Sequence, residues 1–543
     1  MRTHLFRLSL PVLLASAAFA ADKTPTSVPS ANPKVAGYSA PNVLSPELSE
    51  VLLVQGANRL ENPSALTNSY GYDANGPFIP VPGDIPSAGH LVEANKTEPD
   101  KNTYLVLEDQ HGADPNYNYG THFLFQGHET GLNGHCYLTR VNLDADGAHK
   151  VTLLADTDSS GNPIPTIDGS TWYPFSSRLL FTSENGSQGG VYQATLDVPS
   201  TVEDLFGVMG RGGYEGIQAD EQGNLIIVED AGGAAGAANP HAKQPNSFVF
   251  RFVPYDTWNL KAGGKLQVLA VMSLRHSGAI TFLANADEAI KSLDTKDLHT
   301  YGLSFQTKWI TIHDTTTDGF ASFNANALAK AKGGTPFKRP ENGQFRPGTG
   351  FTEFVFDETG DTNLLTEAGV AYGGFGSVFL LRFHGSQGQL SLVYRGDAVH
   401  AGFDNVAFWD RDRVVFVEDA GDTLHTQRNA LDSAWLFDLN QDYSNAAVQP
   451  IRILAEGRDA SATLDSQLGA FAGFQNEGDN EITGWHLSDG DPGRGGLLGA
   501  KIPTPFKDGW RLFYTQQHGD NNTWEIIPNR GRSEGRRGDR DDD

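Results

Sequence analysis

The phrase "GYEGIQADEQGNLIIVEDAGG" runs from Gly213 to Gly233, and a near copy, "GFDNVAFWDRDRVVFVEDAGD", runs from Gly402 to Asp422. Each opens on a glycine, an aromatic residue and an acid, then crosses a turn. Each then climbs an apolar run that ends in Val-Glu-Asp-Ala-Gly. Glu215 stands fourteen positions before Glu229, and Asp404 stands fourteen before Glu418. Short β-branched and aromatic runs bounded by turn residues are strand signals. A strand-turn-strand unit that recurs 189 positions later marks a chain built from related modules.

Outward from these copies the same texture continues. "TYLVLED", "HFLFQGHE", "RLLFTSE", "SFVFRFVP", "GSVFLLRFH" and "SAWLFDLN" are further strands, and 61 glycines and 28 prolines supply the punctuation. No linker divides this stretch, so the expected fold is all-β: a six-bladed β-propeller over residues 43–528 with short helical insertions. The insertions are expected near Asn285–Lys296 and Asn324–Lys332.

The flanks read differently. "MRTHLFRLSLPVLLASAAFA" has a basic start, a short apolar run and an Ala-Phe-Ala end, so residues 1–20 are expected to be a secretory signal peptide. Arg2 and Arg7 are not adjacent, which favours the general secretory route. Residues 21–42 read as an extended N-terminal arm, and "NRGRSEGRRGDRDDD" (529–543) as a disordered charged tail. The expected location is periplasmic or extracellular. No later stretch has the roughly twenty apolar residues of a membrane span. A net charge of −26 argues against nucleic acid as a partner, since phosphate backbones are bound by basic surfaces. The single cysteine, Cys136, excludes an internal disulfide framework and reads as a buried inert thiol. A monomer is expected.

In a propeller the innermost strands share one channel, so acids at their ends converge although they lie far apart in sequence. Glu108, Glu129, Glu184, Glu215, Glu229 with Asp230, and Glu418 with Asp419 are candidates for such convergence. Ionised carboxylates packed together repel, and bound cations such as Ca²⁺, with six to eight oxygen ligands, remove that cost. Against this stands the plainer reading of each pair as a solvated strand end. Asp156, Asp158 and Asp168 read as a turn, as do Asp144 and Asp146. His122, His128 and His135 match no zinc spacing, and there is no nucleophile elbow, phosphate loop or CxxC.

With these phrases assembled, the chain resembles the PhoX-type alkaline phosphatase family of exported bacterial β-propellers. The likeness is carried by "RLLFTSENGSQGGVYQATLD", by "GYEGIQADEQGNLIIVEDAGG" with "SFVFRFVP", by "FKRPENG", and by the closing "NEITGWHLSDGDPGRGGLLGAKIPTPFKDGWRLFYTQQHGDN". It implies a channel holding iron(III) and calcium that hydrolyses phosphate monoesters. It further implies Glu129, Glu184, Glu229 and Glu341 as metal ligands with Glu215 and Asp230 beside them, and catalytic roles for Arg339, on a phosphate oxygen, and Glu341. Glu418 and Asp419 have no clear counterpart in the family, and a structural calcium is their metal-binding reading. Two departures stand out. Ser183 occupies the place of the family's iron-ligating cysteine, which counts against Fe³⁺ more than Ca²⁺, and the signal lacks paired arginines. The alternatives are a secreted calcium-stabilised propeller without catalysis, and a calcium-dependent propeller hydrolase of phytate or lactones.

Overall fold

Apolar runs such as Leu225–Val228 and Val414–Val417 are almost wholly buried, because both faces of their sheets are covered by neighbouring sheets. The computed structural model describes residues 24–29, 42–56, 58–71, 97–129, 136–456, 481–517 and 521–529. The signal peptide, most of the arm and all but the first residue of the charged tail lie outside these residues, as does His135.

The chain is mostly β, and its strands follow one another in antiparallel runs. After β1 (Asn42–Leu44) and β2 (Leu48–Val54) come β3 (Pro99–Val106), β4 (His122–His128), β5 (Leu138–Asn142) and β6 (Val151–Ala155), one sheet in that order. The next sheet holds β7 (Ile167–Tyr173), β8 (Arg178–Ser183), β9 (Gly190–Ala194) and β10 (Val202–Asp204). Then follow β11 (Tyr214–Ala219), β12 (Leu225–Glu229), β13 (Val249–Pro254) and β14 (Gly264–Val271). The long β15 (Ser304–Asp314) comes next, and after it β16 (Gly343–Phe345), β17 (Glu353–Glu358), β18 (Ser377–His384) and β19 (Gln387–Arg395). β20 (Phe403–Phe408), β21 (Arg413–Glu418), β22 (Ser433–Asp438) and β23 (Ile451–Glu456) form a sheet with β1 on its outer edge. β24 (Glu481–Ser488), β25 (Arg511–Gln517) and β26 (Asn522–Pro528) form the last, with β2 outermost.

The arrangement is propeller-like, but the hydrogen bonds gather the described strands into five sheets, not six separate blades. The cause is β15. It pairs with β14 on one side and β19 on the other, fusing two four-stranded runs into a nine-stranded sheet ordered β11-β12-β13-β14-β15-β19-β18-β17-β16. The first strands of the runs lie side by side in a closed ring: β3, β7, β11, β16, β20, β24 and back to β3. The N-terminal segment completes the last sheet, since β2 pairs along β26 from Leu48↔Pro528 onward. That pairing covers an otherwise open sheet edge.

The insertions are short helices at Ala286–Ile290, Leu293–Leu298 and Ala325–Lys332, capped by the side chains of Asn285, Ser292 and Asn324. Among the described residues no helix is long and apolar enough to cross a membrane.

Candidate metal centre

Most acids of the centre are placed by one of two repeated devices. The first is a β-bulge near the start of an inner strand. On β3 the ladder steps from Pro99↔His128 to Asn102↔Gln126, so Asp100 and Lys101 oppose a single residue. The same step places Asp168 and Gly169 on β7, Glu215 and Gly216 on β11, and Asp404 and Asn405 on β20. A bulge re-aims a side chain, and here its first residue is an acid all four times. Two of the second positions must be glycine. A Cβ on Gly169 would stand 2.1 Å from the Glu215 carbonyl oxygen, and one on Gly216 would stand 2.8 Å from that of Glu341.

The second device is the residue just past the end of the second strand. Glu129, Glu184, Asp230 and Asp419 follow β4, β8, β12 and β21 at the same end of the ring. In the remaining runs Glu341 lies just before β16, and Glu481 opens β24. The carboxylates meet in three overlapping groups: Asp100 with Glu129 and Asp168; Asp168 with Glu184 and Glu215; Glu215 with Glu341 and Asp404. Within each group the facing oxygens lie within 4.8 Å of one another.

Burial, sharpened by neighbouring negative charge, pushes the pKa values of Asp100, Asp168, Glu184, Glu215 and Glu481 well above the ordinary carboxylate range. The largest neighbour is Glu129 for Asp100, Asp100 for Asp168, Asp230 for Glu184, Asp168 for Glu215 and Asp419 for Glu481. Glu341 is raised by burial although Arg339 pulls it down.

Arg339 borders the cluster. Its Nε donates to Asp230 Oδ2 at 2.9 Å, and its Nη2 lies 2.9 Å from both Asp230 Oδ2 and Glu341 Oε1. Its φ is +58°, an uncommon value for a residue with a side chain. The surrounding backbone holds it there: the Thr359 amide donates to the Arg339 carbonyl at 2.9 Å, and the Gly216 amide to the Glu341 carbonyl at 2.8 Å.

Glu229 and Glu418, the glutamates of the twin phrases, lie outside the three groups. They are the ladder partners of Tyr214 and Phe403. Glu229 Oε2 accepts from the Phe248 amide (3.2 Å) and Asn326 Nδ2 (2.9 Å), and burial pushes its pKa up to about 8. Glu418 accepts from the Ser433 amide and Trp435 Nε1, both at 3.0 Å, and pairs with Arg428 at 3.2 Å. Both therefore tie one strand to the start of the next. Removing one partner of a buried pair costs about 3–5 kcal/mol. Glu418→Ala is accordingly expected to lower stability by about that much in chemical denaturation while leaving the bound-metal content by elemental analysis unchanged.

Other sequence candidates fall elsewhere. Glu108 follows the opposite end of β3 and is exposed. His122 pairs with Asp144 at that same far end, at 2.8 Å. His128 is buried between the Thr97 carbonyl and the Thr139 hydroxyl, and burial lowers its pKa to about 3. Asp158 closes its own turn through the Ser160 and Asn162 amides. Cys136 is buried. Asp100, Lys101 and Glu481 carry no motif in the sequence, Asp168 reads there as part of a turn although it lies on β7, and Asp404 reads only as the opening acid of the second phrase. The signal available for Asp168 was an acid followed by glycine, sixteen positions before a strand-end acid, matching Glu215-Gly216 fifteen before Asp230.

The raised pKa values fix a pH dependence. An acid whose pKa is higher folded than unfolded binds its proton more tightly in the native state, so it penalises folding as pH rises above its ordinary value of 3.8 or 4.5. Metal-free protein is expected to gain thermal stability as pH falls from about 8 to about 5. Metal-loaded protein should show the opposite slope, because protons compete for the ligands. Scanning calorimetry of both forms across this range checks the crossing.

No family model matches the chain, and no curated protein matches it in sequence. Among solved structures it is similar to Pseudomonas fluorescens PhoX in complex with vanadate, a transition state analogue, at 12% identity and a TM-score of 0.52. The match covers 93% of this chain and 98% of that one. An α-L-arabinofuranosidase of Podospora anserina in complex with cellotriose is matched at 9% identity and a TM-score of 0.28, over 79% of this chain and 90% of that one. A calcium structure of a Trichoderma reesei carbohydrate-active enzyme of family AA12 is matched at 10% and 0.26, over 91% and 98%. The first is a likeness of fold, and the other two are too distant to carry an argument.

Proposed function

We propose that the chain is an exported, metal-dependent phosphomonoester hydrolase. It would work from the acid-lined end of a six-bladed propeller in which the nine-stranded sheet counts as two blades joined by β15. The observation that carries this reading is the convergence of carboxylates from five of the six runs on one end of the strand ring, with the Arg339 guanidinium bordering them. The fold likeness to a protein that takes vanadate as a transition-state analogue supports phosphoryl chemistry.

The donor set fits hard cations. All the converging donors are carboxylate oxygens, and Asp100 Oδ1 and Asp230 Oδ1 are buried without a hydrogen-bond partner. The three overlapping groups would hold the ions, Ca²⁺ first, with Asp230, Asp419 and Glu481 contributing charge nearby. Iron(III) is less well served: Ser183 offers a buried hydroxyl, not a thiolate. Bound cations would supply Lewis-acid charge for the phosphoryl oxygens. Arg339, held in place by Asp230 and Glu341, would orient a small phosphate ester through its planar fork. Glu341 would fix that fork and share in the ligand set.

Hydrolysis of p-nitrophenyl phosphate by the calcium-loaded chain, lost on chelation, tests this reading. Ser183 favours a second one, a calcium-stabilised propeller without catalysis. An inactive protein whose melting point falls with chelator would establish it, and activity on phytate or lactones instead would move the substrate class.

A further inference from the structure

Lys101 is the second residue of the β3 bulge and is 2% exposed. Its ammonium does not stay on its own side of the ring. Nζ donates to Asn405 Oδ1 on β20 at 2.9 Å and to Asn342 Oδ1, just before β16, at 3.3 Å. In the order β3, β7, β11, β16, β20, β24, these are strands across the channel from β3. Both amides, their oxygens taken by the lysine, turn their nitrogens to carboxylates. Asn342 Nδ2 donates to Glu215 Oε1 and Asp404 Oδ1, both at 2.9 Å. Asn405 Nδ2 donates to Asp404 Oδ1 at 2.9 Å and Oδ2 at 2.8 Å. Burial pulls the lysine's pKa down, and the charges that act against burial are those of Asp404, Asp100, Asp168 and Glu215, the four bulge acids.

The geometry points to Lys101 as a tethered cation: a crossbar, seated on Asn342 and Asn405, that takes the place of a further metal ion among the bulge acids. It is a positioning residue. It holds Asn342 and Asn405 in the orientation that occupies the oxygens of Asp404, and so leaves exchangeable ions only the oxygens that the three groups still offer. The inference rests on the metal-centre reading above and adds to it a fixed limit on how many ions the centre takes. Its physical basis is charge balance. Buried carboxylates need compensating positive charge, and a side-chain ammonium, covalently part of the chain, cannot be removed by a chelator.

The test compares the full-length wild type with Lys101→Met and with Lys101→Met/Asp404→Asn, which removes one charge of each sign. Each protein is stripped of metal, re-equilibrated with calcium, and measured for bound calcium by elemental analysis and for thermal midpoint in both forms. Lys101→Met is expected to bind one additional calcium ion. Its metal-free midpoint should fall by at least about 5 °C, and calcium should recover most of that loss. The double variant is expected to regain the wild-type metal-free midpoint and to lose the additional ion. It should fold even if the single variant does not. An unchanged calcium count in a folded Lys101→Met protein overturns the inference, and so does a double variant no more stable than the single one. A wild type that binds no divalent cation would instead sink the metal-centre reading, and the metal-free midpoints would still judge the crossbar.

Discussion

Stripping divalent metal from the chain at about pH 8 is expected to lower its thermal midpoint by about 10 °C or more, with calcium restoring it. The reason is the charge count at one end of the ring. Among the described residues, Asp100, Glu129, Asp168, Glu184, Glu215, Asp230, Glu341, Asp404, Asp419 and Glu481 stand there against Lys101 and Arg339. Most are desolvated, so water screens their repulsion poorly. A ligand at a thousandfold its dissociation constant stabilises the native state by about 4 kcal/mol per site, and three overlapping groups make the sum about 12 kcal/mol. In a chain of this size one kcal/mol moves the midpoint by about 1–2 °C, less than in smaller domains. Calorimetry with and without chelator reads the shift. A midpoint indifferent to chelator at this pH would mean that the acids meet their repulsion by holding protons, and the metal reading would fail.

The twin phrases carried much of this in the open. Their apolar runs became β12 and β21, their turns fell where Gly223 and Asp410 stand, and their opening acids reached the channel. What the sequence hid was which acid of each phrase does so. Alternation along a strand sends successive side chains to opposite sides, so Glu229 and Glu418 bond into the sheet while Asp230 and Asp419, one position on, stay at the ring's end. The bulges were equally invisible. A two-against-one step leaves no periodic trace in the inner strand, and Asp100 with Lys101 looks like any charged strand start. The fusion of two runs through β15 was hidden for a different reason: an eleven-residue strand of mixed polarity, "SFQTKWITIHD", pairs on both edges because neighbours present open edges, not because of its own pattern. Lys101 was beyond sequence reasoning, since its partners Asn342 and Asn405 lie 241 and 304 positions away.

Arg339→Ala is expected to lower kcat on p-nitrophenyl phosphate by about 10²–10³-fold while calcium content stays at the wild-type level. The size follows from the loss of one preorganised charge aimed at a developing anion, worth about 3–4 kcal/mol in comparable sites. Arg339 suits that task because its surroundings hold it before substrate arrives. Burial alone would lower its pKa, but Asp230, Glu341 and Asp419 outweigh burial and keep the guanidinium charged. The Thr359 and Gly216 backbone bonds fix the turn that carries it. Arg339→Lys separates charge from geometry. An ammonium preserves the positive charge but not the planar fork, so the lysine variant should retain metal and fold yet recover only a small part of the lost rate. The loss should appear in kcat more than in KM, because an anion-stabilising contact strengthens toward the transition state. If Arg339→Ala keeps full turnover, Arg339 is a structural counter-ion for Asp230 and Glu341, and the phosphoryl role assigned to it is wrong. If both variants lose calcium along with activity, the guanidinium acts by holding the ligand set together, and the rate effect is secondary to metal loss.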